Sequence, residues 1–197
     1  MPKLPKCKVC KQEFTRFRPL QQVCSPKCAA EHAKKTREKK ERVEHRKAKE
    51  GIKTWAKWNS EAQAAFNKVR RLMDKNESCG SCGRTNEEVL PTDGWRPGGA
   101  WDCGHYKTRG AFPELRFILI NAHKQCKSCN GGSGKYTRKN HTVGKEYRIR
   151  LIEKIGLHGV EYLEGPQPRR EYSIEDLKEI KQGFNEWARE LERLWQV

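Results

Sequence analysis

The residues that could do chemistry are concentrated between Asp102 and Asn130. In chain order they are an acid (Asp102), an imidazole (His105), an amide (Asn121), a second imidazole (His123), and Cys126-x-x-Cys129 with Asn130 directly after it. Phosphodiester hydrolysis asks for such a set. A water must be deprotonated and aimed in line, which suits a neutral imidazole titrating near about pH 6.5. Charge on the phosphoryl oxygens must be neutralised and the leaving 3′-oxygen stabilised, which suits a hard divalent ion held by oxygen ligands. One carboxylate and one amide leave most of the coordination sphere to water and substrate phosphate, as magnesium prefers. We therefore expect His105 as general base, and Asp102 and Asn130 as ligands of a catalytic Mg²⁺ or Mn²⁺. His123 is a rival ligand, set against a reading in which it supports a zinc site or contacts phosphate.

The cysteines supply the scaffold for this strip. Cys79-x-x-Cys82 and Cys126-x-x-Cys129 each offer two thiolates from a tight turn, and together they predict a closed, tetrahedral, structural zinc site. The long insert between them then becomes a loop pinned at both ends. A second set, Cys7-x-x-Cys10 with Cys24-x-x-x-Cys28, predicts another four-cysteine zinc site at the N-terminus. The ninth cysteine, Cys103, is left without a zinc role. The alternative to the N-terminal site is two chance pairs of thiols in a reduced protein.

Composition narrows the partner. The 197 residues carry a formal net charge of +17, with 35% hydrophobic and 34% charged residues. So little apolar material argues for small, metal-stapled folds rather than one large core. The basic excess points to a polyanion, most often nucleic acid. Lys and Arg outnumber Asp and Glu by 16 to 6 over residues 1–50 and by 20 to 10 over residues 51–159, while residues 160–197 hold 6 against 9. Lys107, Arg109, Arg116, Lys124, Lys127 and Lys135 surround the strip and are the expected phosphate contacts. The basic start lacks the apolar run of a secretory signal and no segment has transmembrane length, so no membrane partner and a cytoplasmic location are expected, host cytoplasm if the chain is phage-encoded.

The elements that must position these residues read as follows. Residues 1–29 form the N-terminal zinc module, and Ser25-Pro26 opens a helix that places Cys28 on it. Residues 30–58 are a basic helical arm with no apolar stripe, either a solvated spacer or an arm that lies along phosphates. Residues 59–160 hold the main domain. It begins with an amphipathic helix over 59–75 that starts near Asn59 or Ser60, and Trp55 and Trp58 read as core rather than base-stacking surfaces. Ser78 to Tyr136 is turn-rich, Leu115–Ile120 predicts a strand, and a helix over Lys145–Ile155 should stop at Gly156. Residues 161–197 carry an amphipathic helix opened by Ser173-Ile-Glu-Asp176, which either covers the core or pairs with a second copy as a homodimer.

The order acid, His, Asn, Cys-x-x-Cys-Asn resembles the HNH, or ββα-metal, nuclease family, in which a zinc-stapled hairpin and helix present a His base and an acid/Asn metal pair. The strings DCGHY, RGAFPELRF and NAHKQCKSCN are similar to the phage lambda NinG (Rap) family over nearly the whole chain. The resemblance implies an α+β, zinc-stabilised fold with an HNH-like ββα-metal core, the N-terminal zinc module and flanking helices. It also implies a structure-specific DNA endonuclease acting on branched recombination intermediates (Holliday junctions, D-loops) or double-stranded DNA, alongside recombination proteins. On it, Asn121 would hold the loop or orient His105. One departure stands out: many HNH members place the acid directly before the His, where this chain has Gly104. The competing function is a non-catalytic, zinc-containing nucleic-acid-binding or adaptor protein.

Overall fold

Capping chemistry sets where the helices begin. Ser25 accepts a hydrogen bond from the Cys28 amide at 3.3 Å, and Pro26 occupies the first turn of α1 (Pro26–Gly51), a position where a missing N–H costs nothing. In the computed structural model, which describes residues 4–131 and 137–195, the chain divides into two units, Met1–Lys53 and Thr54–Val197. α1 buries none of its residues. Surface pairs such as Lys35–Glu31 line it, and water and salt screen them so that each contributes little.

In the second unit, Thr54 accepts from the Lys57 amide at 3.3 Å and starts α2 (Trp55–Met73). The helix therefore begins about a turn earlier than Asn59, and the unit boundary falls at residue 54 rather than 59. The reason is that Trp58 already belongs to the buried face it shares with Ala62, Phe66 and Val69. At the other end of the chain, Ser173 and Asp176 form a reciprocal capping box that opens α6 (Ile174–Leu194). Leu177, Ile180 and Phe184 join the α2 cluster, with the Phe66 and Phe184 rings edge-on at 5.1 Å. Leu177, Ile180 and Phe184 of the C-terminal helix thus cover the core.

Between these helices lie α3 (Asn86–Asp93), β1 (Trp101–His105), β2 (Ala122–Cys126), α4 (Lys127–Asn130) and α5 (Thr137–Glu164). β1 and β2 form a two-stranded antiparallel sheet with Asp102 opposite Gln125, Gly104 opposite His123 and His105 opposite Ala122. Alternation along the strands puts Asp102 and Gly104 on one face, and Trp101, Cys103 and His105 on the other. Asp74, at the end of α2, ties this hairpin down. Its carboxylate accepts from the Lys124 amide at 2.9 Å, pairs with Arg70, and sits 3.2 Å from Lys154 Nζ and 3.6 Å from His123 Nδ1. Burial would raise the Asp74 pKa, but His123 and Arg70 hold it well below the usual carboxylate range.

The expected strand over Leu115–Ile120 is not formed. Two 3₁₀ turns, Pro113–Leu115 and Leu119–Asn121, take its place. Apart from Arg116 this run is apolar because it lies between two cores: Phe117 and Leu119 face the α2–α6 cluster, while Leu115, Ile118 and Ile120 face a second cluster built on Tyr147, Leu151, Val160 and Leu163. Gly156, at φ +78°, breaks α5 where a stop was expected. Helix resumes after the break to Glu164, so the boundary expected after residue 160 falls inside this element. The break lets Tyr147 and Leu151 from one half meet Val160 and Leu163 from the other. No helix among the described residues is long and apolar enough to cross a membrane.

Candidate metal centres and hydrolytic site

Two four-cysteine clusters form, one in each unit. Cys7, Cys10, Cys24 and Cys28 bring their sulfurs within 4.8 Å of one another, as do Cys79, Cys82, Cys126 and Cys129. A tetrahedron with Zn–S bonds of about 2.3 Å has sulfur–sulfur edges of about 3.8 Å. The observed edges are 3.5 Å (Cys10–Cys24), 3.7 Å (Cys24–Cys28), 3.7 Å (Cys79–Cys126) and 3.8 Å (Cys82–Cys126). The spacing is too wide for a disulfide, about 2.05 Å, and fits a shared cation. Both clusters could hold a metal ion such as zinc.

The two sites repeat one backbone device. In the first, Cys7 N–H donates to the Gln12 carbonyl at 2.8 Å and Lys11 N–H to the Cys7 carbonyl at 3.0 Å; in the second, Cys79 N–H donates to Arg84 at 2.8 Å and Gly83 N–H to Cys79 at 2.9 Å. The residue four after the first cysteine has positive φ in both, Lys11 at +63° and Gly83 at +72°. Each site then takes its second cysteine pair from the start of a helix, α1 or α4. In the second site, Arg84 donates to the Cys82 and Cys126 sulfurs at 3.5 and 3.3 Å, offsetting the anionic charge of four thiolates. Hydrogen bonds from Cys126 and Cys129 hold the Cys79 thiol far below its ordinary range, and the bonds with Cys126 and Cys79 push Cys129 far above it. Four such thiols do not ionise together without a cation to share. Cys103 stays apart, buried in the α2–α6 cluster, where burial pushes its thiol up to about 12.

The zinc-site helix fixes Asn130. Asp93, at the end of α3, accepts from the Ser128 amide at 3.2 Å and from its hydroxyl at 2.7 Å, which clamps α4. Asn130 Nδ2 then lies 3.0 Å from Asp102 Oδ2. Which end of an amide faces a partner is an assignment, and turning it would present an oxygen instead. Oxygens about 3.0 Å apart match neighbouring positions of an octahedron with metal–oxygen bonds of about 2.1 Å, the geometry of magnesium. The missing acid before His105 has a local cause. A Cβ on Gly104 would overlap the Gln125 carboxamide, which lies across it and bonds to Ser81. Offsets of one and three residues from His105 fall on the same strand face, so Asp102 takes the side of the hairpin that an acid at 104 would take.

His105 is held through a chain of contacts. Asn121 is buried; its Oδ1 accepts from Lys107 N–H at 2.8 Å, and its Nδ2 donates to the Lys107 and Leu115 carbonyls at 3.0 Å each. This closes the 107–115 loop and delivers the Arg116 carbonyl 2.9 Å from His105 Nε2. A carbonyl only accepts, so in the neutral ring Nε2 carries the proton and Nδ1 keeps the lone pair. The ring also packs on Phe66, 5.5 Å between centroids. Burial is the main cause that lowers the His105 pKa to about 4; the Arg116 and Cys103 backbone groups pull it back, and nearby Arg109 pushes it further down.

The remaining expected site residues separate. Lys124, expected on phosphate, is instead buried, and its ammonium donates to the Lys75 and Glu77 carbonyls and to Asn86 Oδ1 at 2.7–3.0 Å, so it braces the hairpin and has no donor left for phosphate. His123 lies on the Asp102 face but turns to Asp74 and, through Nε2, to the Ile120 carbonyl at 3.2 Å. Lys107 lies over the Phe112 ring at 5.3 Å, Lys127 bonds to the Pro97 carbonyl, and Arg109 and Arg116 line one cleft with α2. Lys135 lies outside the described residues. Asp93, Gln125 and Ser128 also position the site; Gln125 and Ser128 are marked in the sequence only by adjoining the zinc cysteines, and Asp93 by nothing.

Comparison with known proteins gives a consistent result. The family profile described as Bacteriophage Lambda NinG protein matches residues 1–194. Protein ninG of Enterobacteria phage H19B is 34% identical, covering 94% of this chain and 92% of its own length. Protein ninG of Salmonella phage P22 is 33% identical over 92% of both chains, and that of Escherichia phage lambda is 32% identical over 92% of this chain and 89% of its own. No solved structure matches significantly. The paired four-cysteine sites and the strip from Asp102 to Asn130 thus sit within a match that spans almost every residue, and the chain belongs to the NinG family of lambdoid phage proteins.

Proposed function

We propose that the chain is a metal-dependent DNA endonuclease that hydrolyses phosphodiester bonds in branched recombination intermediates. The observations that carry this reading are His105, whose Nε2 bonds to the Arg116 carbonyl, and, on the other face of the same strand, an Asp102–Asn130 pair spaced for a divalent ion. The order hairpin, zinc-site cysteines, short helix supports a ββα-metal reading. His105 Nδ1 takes a proton from water as the water oxygen bonds to phosphorus; the phosphorus–O3′ bond breaks, and the 3′-oxygen gains a proton from solvent. Asp102 and Asn130 would hold Mg²⁺ or Mn²⁺, which supplies charge neutralisation at the phosphoryl and leaving oxygens. Asn121 keeps the Arg116 carbonyl in place, and Arg109 and Lys107 offer charge to flanking phosphates. The preference for branches rests on the family resemblance.

The test is cleavage of a synthetic four-way junction against linear duplex with Mg²⁺ or Mn²⁺. Nicks in the junction arms, faster than in duplex, are the expected result. Binding without cutting across several divalent ions would instead favour a non-catalytic adaptor, a reading supported by the 1–53 unit, in which a four-cysteine site adjoins an exposed basic helix.

The buried base also sets a pH dependence. A group with its pKa lowered to about 4 stays deprotonated from neutral pH down to about 5, and the base form is lost only as pH falls through about 4. We expect kcat/KM for junction cleavage to be flat on its acid side from about pH 7 to 5. A half-maximum near about 6.5, the ordinary imidazole value, would show that His105 is solvated in the free protein or is not the base.

A further inference from the structure

α2 turns a polar stripe, Asn59, Gln63 and Asn67, toward the loop that carries Arg109 and Arg116, and the cleft between them measures about 650 Å³. Among the described residues its lining includes two arginines and no carboxylate. A second cavity of about 370 Å³ shares Arg109, Gly110 and Arg116 with the first and continues it past Arg169 and Arg170, on the strap between α5 and α6. The carboxylate lining this continuation, Glu171, lies 4.0 Å from Arg169, and both are exposed. Arg170, which is exposed, stacks over Tyr172 at 4.8 Å.

Two buried polar atoms in the first cleft have no hydrogen-bond partner among the described residues: Gln63 Oε1, on a side chain 5% exposed, and Arg116 Nε. Gln63 Nε2 is committed to Asn67 Oδ1 at 2.8 Å, so the unused carbonyl is a fixed acceptor. Burying unpaired polar groups is costly, and here they line a positively charged groove whose loop also delivers the Arg116 carbonyl to His105.

We propose that this groove is the track for one strand of DNA: Arg109, Arg116, Arg169 and Arg170 take successive phosphates, and the Gln63–Asn67 amide pair contacts the nucleotide between them. The proposal rests on the DNA-cleaving reading above and deepens it. It assigns a binding role to the otherwise acidic C-terminal segment through Arg169 and Arg170.

The test uses the full-length, zinc-loaded protein. Binding of a labelled four-way junction is followed by fluorescence anisotropy without added Mg²⁺, from about 50 to 200 mM salt. Each phosphate contact removed takes about 0.9 from the slope of log K against log salt. The double variant Arg169→Ala/Arg170→Ala, at exposed positions, should lower the slope by about 1.8 and the affinity at low salt by on the order of tenfold or more. Asn67→Asp, which places a carboxylate in the cleft, should weaken binding by a similar factor with zinc content unchanged. Slopes and affinities equal to wild type in both variants would overturn the proposal, as would absence of wild-type binding. Cleavage with Mg²⁺, measured in parallel, separates the two readings. Intact cutting with unchanged slopes sinks the groove alone, whereas altered slopes with no wild-type cutting sink the nuclease reading alone.

Discussion

Cys126→Ser will unfold most of residues 54–197, and Cys24→Ser will leave that unit intact. Cys126 links two cysteine pairs that are 47 residues apart in the chain, and its cluster is the centre of a small core with Val89 and Ala100. Structural zinc sites supply on the order of 10 kcal/mol to small metallodomains, comparable to the whole stability of an ordinary domain. Losing one of four ligands leaves buried thiols that cannot ionise together and removes the tie that holds β2 and α4 to the Cys79 turn. Metal content should be close to two zinc per wild-type chain, and one in Cys24→Ser, whose cluster lies wholly within residues 1–53. Limited proteolysis should degrade Cys126→Ser beyond residue 54 and spare that region in Cys24→Ser. A Cys126→Ser protein that keeps two zinc and a wild-type cooperative transition would show that the metal does not hold the fold.

These cysteines were also the most legible part of the sequence, because thiolate spacing is a covalent constraint that packing cannot override. The caps at Ser25 and at Ser173 with Asp176 were readable because they act within one turn of chain, whereas the start of α2 at Thr54 was not, since Trp58 is drawn into the helix by packing. Legibility failed where distant surfaces decide. Leu115–Ile120 has strand composition, yet the need to feed two cores at once, with Asn121 bonding back to Lys107 and Leu115, makes it a pair of turns. The true strand Trp101–His105 contains a glycine and no β-branched residue; its partner Gln125 fills the space above Gly104, a match that only the folded register supplies.

The site shows the same division. Asp102, His105 and Asn130 stand out by type and order, and Asn130 does lie beside Asp102; the loop that Asn121 holds was implied by the family resemblance alone. The agents that hold them were not. A backbone carbonyl such as that of Arg116 has no signature in sequence, and Asp93 looks like any surface acid until α3 brings it to Ser128. Lys124 was misread for the opposite reason. A lysine among phosphate-binding candidates is expected to be solvated, but this one meets three acceptors left open by the end of α2, the following loop and α3, and its stem crosses the Trp101 ring, with the ammonium 4.0 Å from the ring centroid.

His105→Ala should reduce junction cleavage by about 10²–10⁴-fold, the usual contribution of a positioned general base, while leaving junction affinity within a few fold. The two effects separate for a structural reason. His105 bonds to the Arg116 carbonyl and packs on Phe66, whereas the charges that would hold phosphate belong to other residues, so deleting the imidazole removes the base without removing the track. The substitution also leaves the Arg116 carbonyl unpaired beside a small cavity, at a cost of about 1–3 kcal/mol in stability, which is why zinc content and thermal unfolding must be measured alongside. His105→Gln keeps a donor for that carbonyl but no base near neutral pH; it should recover the stability and not the rate. Rate loss that follows stability across the two variants would make His105 a packing residue. Full cutting by His105→Ala would take the base assignment away altogether, and with it any chemical role for Asn121 and the 107–115 loop.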